Sequence, residues 1–192
     1  MPNRGLLTWQ DPKFPARLRE IGGCPPALFF RGDPDLLALP QMAVVGSRTA
    51  TPQGLETAEG FSAELSRRGL TITSGLALGV DAAAHRGALM AKGQTIAVCA
   101  TGLDRVYPAR HKALAEEIDR SGLLISEFAP GTAPRAEHFP RRNRLISGLA
   151  LGVLVVEAAR NSGSLITARL AAEQGRDVFA IPGSIHNVMA RG

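Results

Sequence analysis

The stretch Gly152-Val153-Leu154-Val155-Val156-Glu157, followed five residues on by Ser162-Gly163-Ser164-Leu165-Ile166-Thr167, decides the fold of this chain. An unbroken apolar run before Glu157 reads as a strand covered on both faces, as in a parallel sheet. The Gly/Ser turn opens an amphipathic stretch at 165–174, so the unit is strand, turn, helix. An α/β protein makes a backbone anion site this way, with amide hydrogens and the helix dipole facing the ligand. Just upstream stands Phe139-Pro140-Arg141-Arg142-Asn143-Arg144. A phenylalanine arriving with these arginines points to a nucleic acid as the anion.

The same pattern recurs along the chain. Apolar runs fall at 42–45, 70–73, 95–99, 123–125, 152–156 and 178–181, with amphipathic stretches between them. The first helix is well marked: Thr51 caps, Pro52 takes the first helical position, and Leu55, Ala58, Phe61 and Leu65 form one face. Arg67-Arg68-Gly69 closes it. Further helices are expected at 80–90, 111–120, 142–149 and 165–174. This alternation predicts an α/β fold with a doubly wound, mostly parallel sheet of extended Rossmann-like type. Residues 1–40 read differently, because prolines at 12, 15, 25, 26, 34 and 40 break any long element. Leu18 and Ile21 fit a short helix, and Leu28-Phe29-Phe30 a short extended piece. The expected organisation is a small N-terminal helical or irregular appendage over 1–40 and a Rossmann-like DNA-binding domain over 41–192. After the last strand comes Pro182-Gly183-Ser184 with no helix following, which reads as a domain truncated at its C-terminal end.

Composition narrows the classes only a little. The chain has 192 residues, 45% hydrophobic and 20% charged, as an ordinary soluble domain has. Its formal charge is +5, and only Lys13, Lys92 and Lys112 of the 22 basic residues are lysine. An arginine bias fits phosphate recognition and fits a GC-rich genome equally well. Cys24 and Cys99 are too far apart for a zinc or redox motif, and Cys99 reads as a buried thiol. His111, His138 and His186 show no metal-ligand spacing, so no metal is expected. No signal peptide or membrane span is visible, which makes a cytoplasmic location the default.

In an open parallel sheet, ligands bind beyond the carboxyl ends of the strands. The turns on that edge are Gly46-Ser47-Arg48, 74–81 beginning Ser74-Gly75, Ala100-Thr101-Gly102, 157–164 and 182–184. One such turn needs glycine for chain reversal alone. Several on one edge, with arginines at two, point to a ligand site. No Gly-x-Gly-x-x-Gly follows the first strand and no Walker lysine occurs, which disfavours nicotinamide and nucleoside-triphosphate chemistry. Asp81 and His85 lie four apart on one helix, and a capping carboxylate with a hydrogen-bonded histidine is preferred over acid–base work. Glu157 is placed to hold a loop by accepting amide protons. Phe139 has two open readings, stacking on a base and packing in the core.

Taken together, Val44-Val45-Gly46-Ser47-Arg48, the 74–81 turn with Ala84-His85, Gly102-Leu103-Asp104 with Tyr107-Pro108, Ser126-Glu127, 139–149, Val155-Val156-Glu157-Ala158, 162–168 and 173–184 resemble the DprA/Smf family of DNA-processing proteins. The resemblance covers 42–192, and more loosely the first 40 residues. It implies a cofactor-free homodimer without enzymatic activity that binds single-stranded DNA. Such a protein protects incoming strands during natural transformation and helps load the RecA recombinase. Carried over by position, the DNA pocket holds Gly46, Ser47, Arg48, Ser74, Gly75, Arg135, Phe139, Arg142, Asn143, Arg144, Ser162, Gly163 and Ser164. Where some relatives have a basic residue, this chain has Ala136 with Arg135 beside it, and His111 stands where many have asparagine. The rival reading is a nucleotide phosphoribohydrolase of the lysine-decarboxylase-like type. Its Pro-Gly-Gly-x-Gly-Thr-x-x-Glu signature is not met by 162–167, which lacks the double glycine and the trailing acid.

Overall fold

The computed structural model describes residues 3–160 and 162–183. Among them the strands are β1 (Arg4–Thr8), β2 (Ala27–Gly32), β3 (Gln41–Val45), β4 (Thr71–Ser74), β5 (Thr95–Val98), β6 (Leu123–Ser126), β7 (Gly152–Val155) and β8 (Asp177–Ala180). The α-helices are α1 (Ala16–Arg19), α2 (Pro52–Arg67), α3 (Val80–Met90), α4 (Lys112–Ser121), α5 (His138–Leu149) and α6 (Gly163–Glu173). One sheet runs in the order β1-β2-β6-β5-β4-β3-β7-β8. From β6 to β8 every neighbour is parallel, while β1–β2 and β2–β6 are antiparallel.

Every residue of β4, β5, β6 and β7 is buried, which is why β5, β6 and β7 appear in the sequence as largely apolar runs. β4, Thr71-Ile72-Thr73-Ser74, is instead buried with the Thr73 and Ser74 hydroxyls hydrogen-bonded. Alternation sorts the side chains to two faces. Val45, Val98, Ile125 and Val153 meet Leu145, Ile146 and Leu149 of α5, whereas Val44, Ile72 and Leu154 meet Ala58 of α2 and Ala83 and Ala84 of α3. Thr51 caps α2 as expected, its Oγ1 accepting from Gly54 N at 3.0 Å. Phe61, expected on the inner face of α2, is instead 46% exposed. The cause is a close approach of α2 to α3: a Cβ on Gly87 would collide with the Glu59 backbone, so fully buried Ala58 and Ser62 fill the contact. The larger ring is turned to solvent.

Residues 3–40 supply the expected short helix as α1, the expected extended piece within β2, and one further strand, β1. Leu7, Leu28 and Phe30 point into the core that α5 covers. Two successive antiparallel steps make β1 run parallel to β6. The carboxyl end of β1, at Thr8, therefore lies on the same edge as the carboxyl ends of the parallel strands. Strand order reverses between β3 and β7, which places the ligand crevice of this fold at their carboxyl ends. Of the last turn only Pro182 and Gly183 are described; Ser184, and His186 with it, lie outside the described residues.

Candidate nucleic-acid interface

At that switch point a crevice of about 360 Å³ opens, bordered by Ser47, Arg48, Asn143, Ser162, Ser164 and Thr167 among others. Its two rims are the turns after β3 and β7, and they are tied together. Ser47 N donates to the Glu157 carbonyl at 2.7 Å, and Val80 N donates to the Ser47 carbonyl at 3.1 Å. Gly46 is required there, since a Cβ would stand 2.6 Å from Val80 Cγ2 and 3.0 Å from the Glu157 oxygen. The Glu157 carboxylate accepts from Thr51 N at 2.9 Å and from Thr51 Oγ1 at 2.6 Å, fixing the loop as its position had indicated. On the other rim Ser162 caps α6, its Oγ accepting from Ser164 N at 3.2 Å and touching Ser164 Oγ. Asn143 Nδ2 donates to the Gly163 carbonyl at 3.3 Å, so α5 braces the same turn. The hydroxyl of buried Thr167, one helical turn beyond Ser164, completes the polar lining.

Arg48 leaves this rim exposed and lies 5.2 Å over the ring of Phe139, whose other neighbour is Tyr107 at 5.6 Å. Under them a slot of about 60 Å³ runs between Leu78, Thr101, Tyr107, Pro108 and Phe139. Arg48 and Arg142 border both cavities. Phe139 is half-buried, its ring packed beside Tyr107 and under Arg48 where it lines the slot.

The other expected residues divide. Arg142 is 4% exposed and is turned inward, donating Nη1 to the carbonyls of Gly75 and Val98 at 2.5 Å each and Nε to Asn143 Oδ1 at 3.1 Å. Its plane lies against Gly75, where a Cβ would meet the guanidinium at 2.5 Å. Ser74 is buried with its hydroxyl bonded to the Val44 carbonyl at 2.7 Å, outside the crevice lining. Arg144 points to the opposite side of α5, into an ion pair with Glu127 at 2.7 Å, which Arg141 shares at 2.9 Å. Arg135 is exposed, 4.0 Å from Glu137. Gly46, Ser47, Arg48, Arg142, Asn143, Ser162, Gly163 and Ser164 thus share one cavity, with Gly75 and Phe139 on the adjoining slot, while Ser74, Arg135 and Arg144 stand apart.

Beneath the crevice the charges are buried. Asp81 accepts from the amides of Gly75 at 3.1 Å and Ala77 at 3.4 Å. Burial pushes its carboxyl up, an effect that nearby Arg142 opposes, and burial likewise lowers Arg142. His85 takes no part in these contacts. Thr95 Oγ1 donates to the Ile72 carbonyl at 2.8 Å, so it must accept from His85 Nδ1–H at 2.7 Å. Burial, then the charges of His111 and Arg142, bring His85 down to about 3. The Cys99 thiol, buried, is pushed up to about 11. The sequence-based list omitted Asp81, Thr167 and Tyr107 as site residues. Thr167 was signalled by its i,i+3 spacing from Ser164, and Tyr107 by the Tyr-Pro pair that begins the turn under Phe139.

The class so defined is an open, Rossmann-like α/β protein with a polar cradle at its switch point and a guanidinium–aromatic pair at the rim. Residues 5–192 match the family of DNA recombination-mediator protein A, and the chain belongs to that family, the DprA/Smf proteins. It is 50% identical to the DNA processing protein DprA of Streptococcus pneumoniae over 95% of this chain and 64% of that protein. It is 48% identical to protein Smf of Escherichia coli over 100% of this chain and 51% of that one. The chain thus spans about half to two thirds of the length of these relatives. The structure of the S. pneumoniae protein superposes with a TM-score of 0.93 at 48% identity, over 97% of this chain and 66% of that one. DNA processing protein A from Helicobacter pylori, whose structure is described for its single-stranded DNA binding mode, gives 0.87 at 32%, over 95% and 83%. A molybdenum cofactor binding protein from Rippkaea orientalis, at 20% identity and 0.55, shares the fold alone over 77% of this chain and 78% of that one.

Proposed function

We propose that this chain binds single-stranded DNA in the β3/β7 crevice, that a second copy pairs with it, and that it protects incoming strands and passes them to the RecA recombinase in the cytoplasm. The observation that carries the reading is the exposed Arg48 guanidinium over the Phe139 ring, beside a cradle of hydroxyl and amide groups. A phosphate fits the cradle and Arg48, and a base fits the ring. The description of the H. pylori relative supports the same ligand. On this reading the chain acts by holding the strand, supported by Asp81 being engaged by the Gly75 and Ala77 amides and by His85 being neutral and enclosed. Among those residues no helix is long and apolar enough to cross a membrane, and no group of three acidic, histidine or cysteine side chains is placed to hold a metal.

The test is a titration of Arg48→Ala and Phe139→Ala against single strands at several salt concentrations. Loss of one phosphate contact at Arg48 lowers the slope of log affinity against log salt by about 0.7. Loss of stacking at Phe139 weakens binding by about 1–3 kcal/mol with the slope kept. Wild-type binding by both folded variants, or tighter binding of blunt duplex than of single strand, refutes the assignment.

A further inference from the structure

Three arginines stand against aromatic rings along the edge of the sheet that carries the crevice, Arg19 against two rings, since it also lies 5.8 Å from the buried Phe14. Arg48 over Phe139 is the first. Arg141 lies 5.4 Å from the Phe128 ring, and Arg19 lies 6.0 Å from the Trp9 ring. Topology orders them: Arg48 follows β3, Phe128 follows β6, and Trp9 follows β1, whose carboxyl end is on the same edge. From β3 to β1 the sheet advances five positions, about 24 Å at ~4.8 Å per strand.

Contacts link these pairs along the edge. Glu127 gathers Arg141 and Arg144, and Arg144 Nε is 3.6 Å from where a Cβ on Gly23 would stand. Trp9 N donates to the Pro26 carbonyl at 2.9 Å, joining the end of β1 to that loop. Phe128 is buried, with the exposed Arg141 over its ring. Trp9 differs, being 52% exposed, with exposed Arg19 against it. Arg19 Nη2 donates to the Asp11 carbonyl at 2.8 Å, and no carboxylate among the described residues forms an ion pair with it. A single exposed aromatic ring is ordinary. A ring and a guanidinium on the same sheet edge as the crevice form an arrangement suited to bind one more base.

We propose that Trp9 and Arg19 form a second stacking point, reached by the same single strand as it leaves the crevice past Arg141. The inference rests on the single-stranded DNA reading above. At a stacked rise of ~3.4 Å per nucleotide the path holds about seven nucleotides, so a shorter strand seated in the crevice does not reach Trp9.

Trp9 is the one tryptophan of the chain, so its intrinsic fluorescence reports the contact without any substitution. Oligothymidylates of about 4 and about 15 nucleotides, the range single-strand sites cover, are titrated to saturation. The longer is expected to quench Trp9 and the shorter to leave it unchanged. Trp9→Ala is expected to bind the longer strand at least about fivefold more weakly. Arg19→Ala is expected to lower the salt slope for that strand by about 0.7. Unaltered Trp9 fluorescence with the longer strand bound, or wild-type affinity of Trp9→Ala for it, overturns the proposal. Failure of the crevice reading itself is seen separately, as Arg48→Ala binding both strands like the wild type.

Discussion

Arg142→Met is the substitution that best separates holding the crevice from touching DNA. The native guanidinium donates to the carbonyls at the ends of β4 and β5, and to the Asn143 oxygen that faces it. Methionine fills most of the volume and donates nothing. Two buried carbonyl oxygens lose a donor, at about 1–3 kcal/mol for each unsatisfied group, so the expected loss is about 2–6 kcal/mol. Asp81 also loses the nearby positive charge that opposes its burial, which adds to the loss. Asp81→Asn combined with Arg142→Met removes that second effect and should recover part of the stability. The assay is urea denaturation for stability, together with a single-strand titration at several salt concentrations for the slope. Because the guanidinium is spent on main-chain oxygens, affinity is expected to fall through displacement of Asn143 and the Ser162–Ser164 turn, with the salt slope unchanged. A stability loss below about 1 kcal/mol, or a slope lowered by about 0.7, refutes the reasoning and makes Arg142 a phosphate ligand.

Two further outcomes follow from groups outside the crevice. His85 is depressed to about 3 when folded and titrates near 6.5 when unfolded, so its contribution is present above pH 6.5 and is lost as pH falls toward 3. The loss should approach about 1.4 kcal/mol per pH unit in that window. A denaturation series between pH 7 and 4 that is as steep in His85→Asn as in the wild type counts against it. Gly54→Ala sets a Cβ 2.5 Å from the Glu157 carboxyl carbon, so it must displace the carboxylate that holds Thr51. Loss of the carboxylate that orients the Thr51 cap is expected to lower stability by about 0.5–2 kcal/mol, read as a lower melting temperature. An unchanged melting temperature sinks the claim.

The parallel strands were legible because most are short, largely apolar runs, and α2 and α6 because Thr51 and Ser162 mark their starts as caps. β1 was not legible. Of its five residues only Leu7 is buried, so an edge strand with one inward side chain leaves no periodic signal. Phe61 was misplaced because helix period gives a face but not how closely the neighbouring helix approaches. In the site, glycine and serine after strands named the cradle directly, since those residues act through the backbone. The arginines of 141–144 could not be sorted by composition. Their directions depend on the face by which α5 packs: Arg141 and Arg144, three apart, both reach Glu127, while Arg142 turns under the sheet edge. The i,i+3 spacing of the outer pair was the available signal.

Sorting the arginines in this way fixes what salt should do to binding. Arg144 is paired with Glu127, Arg142 is spent on carbonyls, and among the described residues Arg48 is the crevice arginine with neither kind of partner. A strand held in the crevice alone therefore releases about one counterion, for a slope near 0.7. Arg141 shares its carboxylate and is mostly exposed, and Arg19 lies at the far end of the edge. A strand long enough to pass both should show a slope near 2, from about three contacts at ~0.7 each. The slope is thus expected to rise with oligonucleotide length and then level off once Trp9 is reached. A slope near 2 already present with the shortest strand would put the arginines of 141–144 back in the crevice. A slope that stays near 0.7 at every length would leave the edge from Phe128 to Trp9 empty of DNA.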